Sequence, residues 1–169
     1  AKSNGAKGDG FDKLEKQLGL SGSKSVKSSS TQDPPKEQLQ TLINLHTQGK
    51  YQEALNEASQ LLKEFPNSVI LYNTIGLAYQ GLGNLEEAIG TYTKAISLKE
   101  NNAEAHYNMG NAFKEQGKLD ESIDAYKKAI AIKPDYADAY NNMGNAYNEL
   151  GELAKAIEIY NTVLLIKPD

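Results

Sequence analysis

"AYNNMGNAYNELG", residues 139–151, decides how this chain folds. Asn141, Asn142, Asn145 and Asn148 crowd into it, although asparagine is a mediocre helix former whose amide competes for the backbone. The alanines, Leu150 and the closing Gly151 nevertheless read as a helix and its stop. Advancing about 100° per residue separates two sides. Ala139, Tyr140, Met143, Gly144, Ala146, Tyr147 and Leu150 share one, and they are the expected packing face. Asp138, Asn141, Asn142, Asn145, Asn148 and Glu149 share the other, which is left open.

The same pattern recurs upstream with a period of 34 residues, dividing the chain into 35–68, 69–102, 103–136 and 137–169. Such self-similarity marks a stacked array, because one unit cannot bury its apolar face alone. Each unit reads as two helices. Gly49, Gly83, Gly117 and Gly151 stop the first helices, and Pro66, Pro134 and Pro168 follow the second ones. Acids open the second helices (Glu86, Glu87; Asp120, Glu121) and lysines close them (Lys99, Lys133, Lys167), in keeping with the helix dipole. Gly76, Gly110 and Gly144 fill the eighth position. Tyr92, Tyr126 and Tyr160 fill the twenty-fourth and are expected to plug the gaps between helix pairs.

These residues resemble the tetratricopeptide repeat. Tyr72, His106 and Tyr140 match its large fourth residue, and Tyr79, Phe113 and Tyr147 its aromatic eleventh. Ile75-Gly76, Met109-Gly110 and Met143-Gly144 match its apolar-Gly step, and Ala54, Ala88, Ser122 and Ala156 its small twentieth residue. The first unit keeps only Gly49, Tyr51, Ala54 and Pro66, so its first helix is expected to be rotated or to act as a cap. The resemblance implies an all-α, right-handed superhelix of four antiparallel helix pairs over 35–169. First helices would line a concave groove that holds a peptide or partner protein.

On that reading the groove candidates are Asn73, Leu77, Tyr107, Asn108, Asn111, Lys114, Asn141, Asn142, Asn145 and Asn148. An amide carries both donor and acceptor, so it can pair with a peptide backbone without reading side chains. Asn108 and Asn142 repeat at the sixth position, similar to the asparagine ladder of the O-GlcNAc transferase repeats, and Asn111 and Asn145 repeat at the ninth. Plain solvation is the competing reading. A clamp for acidic chaperone tails needs lysine and asparagine where Leu39 and Ile43 stand, and Glu104 faces it further on, which argues against that ligand.

Composition narrows the rest. The formal net charge is −4, and all 18 basic residues are lysine. Bidentate phosphate and guanine recognition leans on arginine, so no nucleic-acid partner is expected. Cysteine is absent. No apolar run approaches the ~18 residues of a membrane span, and "AKSNGAKGDG" at 1–10 lacks a signal-peptide core, so no membrane contact and a cytoplasmic home are expected. His46 and His106 lack metal-ligand spacing, no phosphate loop follows a strand, and no nucleophile sits beside a base. Neither enzyme activity nor a cofactor or metal is expected.

Residues 1–34 carry a net charge of +2 and read as a flexible basic tail. Within it lies a candidate short amphipathic helix at 10–19. Phe11, Leu14 and Leu18 share a helical face that could land on Leu39, Ile43, Ile70 or Leu77, in its own chain or a neighbour's. The last unit closes at "LLIKPD" without a polar solvating helix, so further repeats, another domain or a second copy are expected to cover it. The reading is a protein-binding scaffold. The alternatives are the substrate-recruiting arm of a larger transferase- or oxygenase-type enzyme and a self-assembly module, a homo-oligomer formed through the N-terminal helix or the last repeat.

Overall fold

The structure, a computed structural model, describes residues 14–18 and 32–166. Among these residues there are eight helices of 12 to 14 residues and no strand. They are α1 (Lys36–Thr47), α2 (Tyr51–Glu64), α3 (Val69–Gly81), α4 (Leu85–Leu98), α5 (Ala103–Glu115), α6 (Leu119–Ile132), α7 (Ala137–Glu149) and α8 (Leu153–Ile166). A further helical turn spans 14–17, closed by Leu18 N–H donating to the Leu14 carbonyl at 2.9 Å. The chain forms two compact units, Ala1–Lys99 with α1–α4 and Glu100–Asp169 with α5–α8. Within each unit, connections of three or four residues make consecutive helices antiparallel.

The 34-residue period is kept to the residue. Helices α3, α5 and α7 begin at 69, 103 and 137, and α4, α6 and α8 begin at 85, 119 and 153. The helix stops are Schellman turns. Lys118 N–H reaches back to the Phe113 carbonyl at 2.9 Å, and Gly117 takes a φ of 75° that a Cβ would oppose. Ser68 and Asn102 cap α3 and α5 by accepting from Leu71 N–H and Ala105 N–H, each at 3.2 Å.

Packing within each pair rests on one size exchange. A Cβ added at Gly110 would stand 2.6 Å from Tyr126 Cε1, and one at Gly144 would stand 2.6 Å from Tyr160 Cε1. Gly76 faces Tyr92 in the same way. Glycine at the eighth position therefore makes room for the tyrosine ring of its own pair. The expectation placed Tyr92, Tyr126 and Tyr160 between pairs; each ring also fills the gap within its own pair, and Tyr126 shares a core cluster with Ala139 and Met143 of the next pair. The first pair solves the problem in reverse. Leu42 holds the eighth position and Ala58 the twenty-fourth, both buried in one cluster with Leu39, Leu61, Leu71 and Ile75. Large and small have changed helices, so α1 stays in frame without the family glycine.

In the second unit the core joins Tyr107, Ile123, Tyr126, Tyr136, Ala139 and Met143. Of the packing face assigned to 139–151, Ala139, Met143, Gly144 and Ala146 are buried and Tyr140 and Tyr147 half-buried, while Leu150 stands exposed.

Candidate functional site

Within the second unit, α5 and α7 are tied together through their amides. Asn142 spends both N–H donors on α5. Its Nδ2 lies 2.8 Å from Asn111 Oδ1 and 3.2 Å from Tyr107 Oη. Asn111 Oδ1 also accepts from Tyr126 Oη at 2.8 Å. Lys114, one helical turn further along α5, pairs with Glu149 at 3.1 Å. Tyr107 is buried, its ring centroid 5.0 Å from that of Tyr136 and 6.0 Å from that of Tyr126. Burial raises the Tyr107 phenol above the ordinary range, and it lifts Tyr126 and Tyr136 further, so all three stay protonated donors across the physiological range.

The sequence candidates thus divide by burial. Asn141, Asn145 and Asn148 are exposed at i, i+4 and i+7 of α7, one stripe on a single face. Asn145 Oδ1 accepts from Tyr160 Oη at 2.6 Å, which fixes the amide plane. Asn111, Asn142 and Lys114 are half-buried and engaged within the unit. Asn108 and Tyr107, placed on the open side by the helical wheel, are buried. Sequence reasoning missed Glu149 as the partner of Lys114, and it missed Tyr136. An aromatic in the last position of the third unit was the available signal.

In the first unit the candidates lie under cover. Leu14 and Leu18 pack on Ile43 of α1 and Leu77 of α3, and all four are buried. Of the four expected landing residues, Ile43 and Leu77 receive the N-terminal turn. Leu39 and Ile70 belong to the core between helices instead. Phe11 lies outside the described residues. Asn73, one turn before Leu77 on α3, is only 2% exposed, and its Oδ1 has no hydrogen-bond partner among the described residues. Where the ninth position holds Leu77 rather than asparagine, the tyrosine of the pair changes acceptor: Tyr92 Oη donates to Gln80 Oε1 at 3.0 Å.

The two histidines are packing residues. His106 is buried on α5, and His46 meets the Tyr51 ring edge-on at 5.0 Å. Burial lowers both pKa values below 6.5, with Lys128 adding to the shift at His106. The folded protein therefore favours neutral imidazoles, whereas the unfolded chain takes up protons at the ordinary pKa. The stabilisation is complete above about pH 6.5 and drains away as pH falls below it. Thermal melting followed by circular dichroism should show the midpoint dropping from pH 7 to pH 5. His46→Gln with His106→Gln should flatten that slope, and an unchanged slope would contradict the assignment.

Among the described residues no cluster of three or more His, Asp or Glu is placed to hold a metal ion, and no helix is long and apolar enough to cross a membrane.

Comparison with known proteins agrees with the helix register. The family model described as "TPR repeat" matches residues 81–117 and 110–151, and models described as "Tetratricopeptide repeat" match 38–68 and 137–169. A solved structure of MamA is 35% identical, covers 75% of this chain and 74% of its own, and superposes with a TM-score of 0.67. MamA from Desulfovibrio magneticus RS-1, at 20% identity, shares the fold over 96% of this chain and 88% of its own, with a TM-score of 0.70. Heat shock protein STI1 of Saccharomyces cerevisiae is 43% identical over 49 residues, which is 29% of this chain and 8% of that protein. Period, glycine–tyrosine exchange and family models converge: the chain belongs to the tetratricopeptide repeat family, whose members are protein-interaction scaffolds.

Proposed function

We propose that this scaffold holds a polypeptide segment against the first-helix face of its second unit, with the exposed amides of α7 as the contacting row. The observation that carries this is the Asn141–Asn145–Asn148 stripe, exposed on a helix whose other face is packed. Because Tyr160 holds the Asn145 carbonyl, the Nδ2 donor is presented in a fixed direction. A prepositioned amide loses less entropy on pairing than a freely rotating one. A row of amides reads a peptide backbone rather than particular side chains, so sequence-tolerant binding is the expected mode.

The test is a peptide array probed with the wild-type chain and with an Asn141→Ala/Asn145→Ala/Asn148→Ala variant. Exposed substitutions of this kind change stability by about 0.5 kcal/mol or less, so the fold should persist. Loss of about tenfold in affinity or more is expected. Unchanged binding would return the stripe to the solvent.

A second reading has its own observation. Leu153, Ile157, Leu164 and Leu165 of α8 are 59%, 60%, 63% and 84% exposed, with Leu150 beside them. One repeat earlier the counterparts of the first three, Leu119, Ile123 and Ile130, pack into the core that holds α7 residues Ala139 and Met143. The α8 face is thus of the kind that another helix covers. Assembly through it would appear as concentration-dependent light scattering that Ile157→Glu removes.

A further inference from the structure

The first unit carries a binding surface of a different chemistry, and in this structure residues 14–18 of the same chain sit on it. Leu14 and Leu18, four residues apart on one helical turn, fill an apolar seat made by Ile43 of α1 and Leu77 of α3. We infer that this seat takes an amphipathic partner helix bearing two apolar residues four positions apart, and that residues 14–18 are a displaceable plug occupying it in the partner's absence. The inference rests on the reading that first-helix faces hold peptides, applied here to the first unit.

Two features distinguish a plug from a permanent part of the core. The seat is a small cluster of its own, and the core of α1–α3 is formed separately by Leu39, Leu42, Ala58, Leu61, Leu71 and Ile75. Removing Leu14 and Leu18 would leave that core whole. The seat is also imperfectly filled. Asn73 lies on the same face of α3 as Leu77, one turn away, 2% exposed with its Oδ1 unpartnered among the described residues. A buried acceptor without a donor penalises whatever covers it. A partner helix that places a hydroxyl or amide donor there satisfies what the plug does not. This preference for a donor near an i, i+4 apolar pair is the specificity the seat offers.

Tethering gives the plug its hold. Seventeen residues separate Leu18 from Lys36. A short tether keeps its end at an effective concentration on the order of millimolar. A plug seated nine-tenths of the time weakens an incoming ligand about tenfold.

The probe is a fluorescein-labelled peptide of residues 9–20, titrated by anisotropy into the full chain and into a full-chain Leu14→Asp/Leu18→Asp variant. Leu14→Ala/Leu18→Ala replaces it if circular dichroism shows the charged pair disturbing the fold. The variant should bind the probe about tenfold tighter than wild type, and Leu77→Ala added to it should abolish the gain. A probe scanned with serine at its non-leucine positions should contain one peptide that gains affinity for the variant and loses that gain on Asn73→Leu; no such peptide would overturn the donor preference. Equal binding to wild type and variant would overturn displacement while leaving peptide binding intact. Binding to neither would overturn the seat and, for the first unit, the groove reading with it. Sedimentation showing a wild-type dimer that the Leu14→Asp/Leu18→Asp variant dissolves would place the segment on a second copy and overturn the plug in its own chain.

Discussion

Replacing Tyr126 with alanine should destabilise the second unit by about 3–5 kcal/mol, the range for deleting a buried aromatic ring. The ring is fully buried and fills the space above Gly110, and it lies among Tyr107, Tyr136, Ala139 and Met143. Its loss leaves a cavity that glycine cannot fill. It also takes from Asn111 Oδ1 one of two donors, the other being Asn142 Nδ2. Tyr126→Phe separates the two contributions. It keeps the ring and deletes only the hydroxyl, which should cost about 1 kcal/mol. Urea unfolding followed at 222 nm measures both. A Tyr126→Ala loss no greater than that of Tyr126→Phe would mean that the hydroxyl, not the ring, holds the pair together.

Gly110→Leu combined with Tyr126→Ala should be more stable than Tyr126→Ala alone. The first repeat supplies the precedent, since Leu42 and Ala58 occupy the same two positions and are both buried. Gly110→Leu by itself forces a side chain into the tyrosine ring, whose Cε1 lies 2.6 Å from the new Cβ, and overpacking of this kind costs about 1–3 kcal/mol. With the ring gone, leucine fills part of the cavity. About 0.8 kcal/mol of any rescue is the helix-propensity gain of losing a glycine, so only a larger recovery reports the size exchange. A double-mutant cycle reads the coupling, and simple additivity of the two losses would show that the exchange works only in the first repeat.

The sequence was most legible where one residue settles one local question. Gly83, Gly117 and Gly151 fix the helix stops, and their spacing carries every later helix boundary with it. The packed and open sides of 139–151 follow from angular position alone, and burial departs from them at Leu150, which is exposed, and at Asn142, which is half-buried against α5. What could not be read depends on a second helix. The wheel assigns Tyr107 to an open side, but it cannot show that Tyr126 and Tyr136 close over it. It gives Asn111 and Asn145 equivalent places, yet Asn111 is engaged by α7 whereas Asn145 accepts from Tyr160 of its own pair. The Leu42–Ala58 exchange was hidden for the same reason. Each substitution taken singly looks like a worn repeat, and only their contact shows compensation. Of the candidate helix at 10–19 only 14–18 is described; there Leu14 and Leu18, four apart, share a face, and Ile43 and Leu77 emerged as its seat only once α1 and α3 were side by side.

The amide bridge between α5 and α7 also bears on how such an array can lengthen by gene duplication. Asn142 at the sixth position of one repeat needs tyrosine at the fifth and asparagine at the ninth of the repeat before it, which Tyr107 and Asn111 provide. Repeat 103–136 itself carries asparagine at its sixth position, Asn108. A tandem copy of that repeat would thus present the donor its predecessor requires and the acceptors its successor requires. Repeat 69–102, with Asn73 and Leu77 at the fifth and ninth positions, offers no such match. The repeats are not interchangeable beads, and the third is the one whose duplication would splice in without a mismatch.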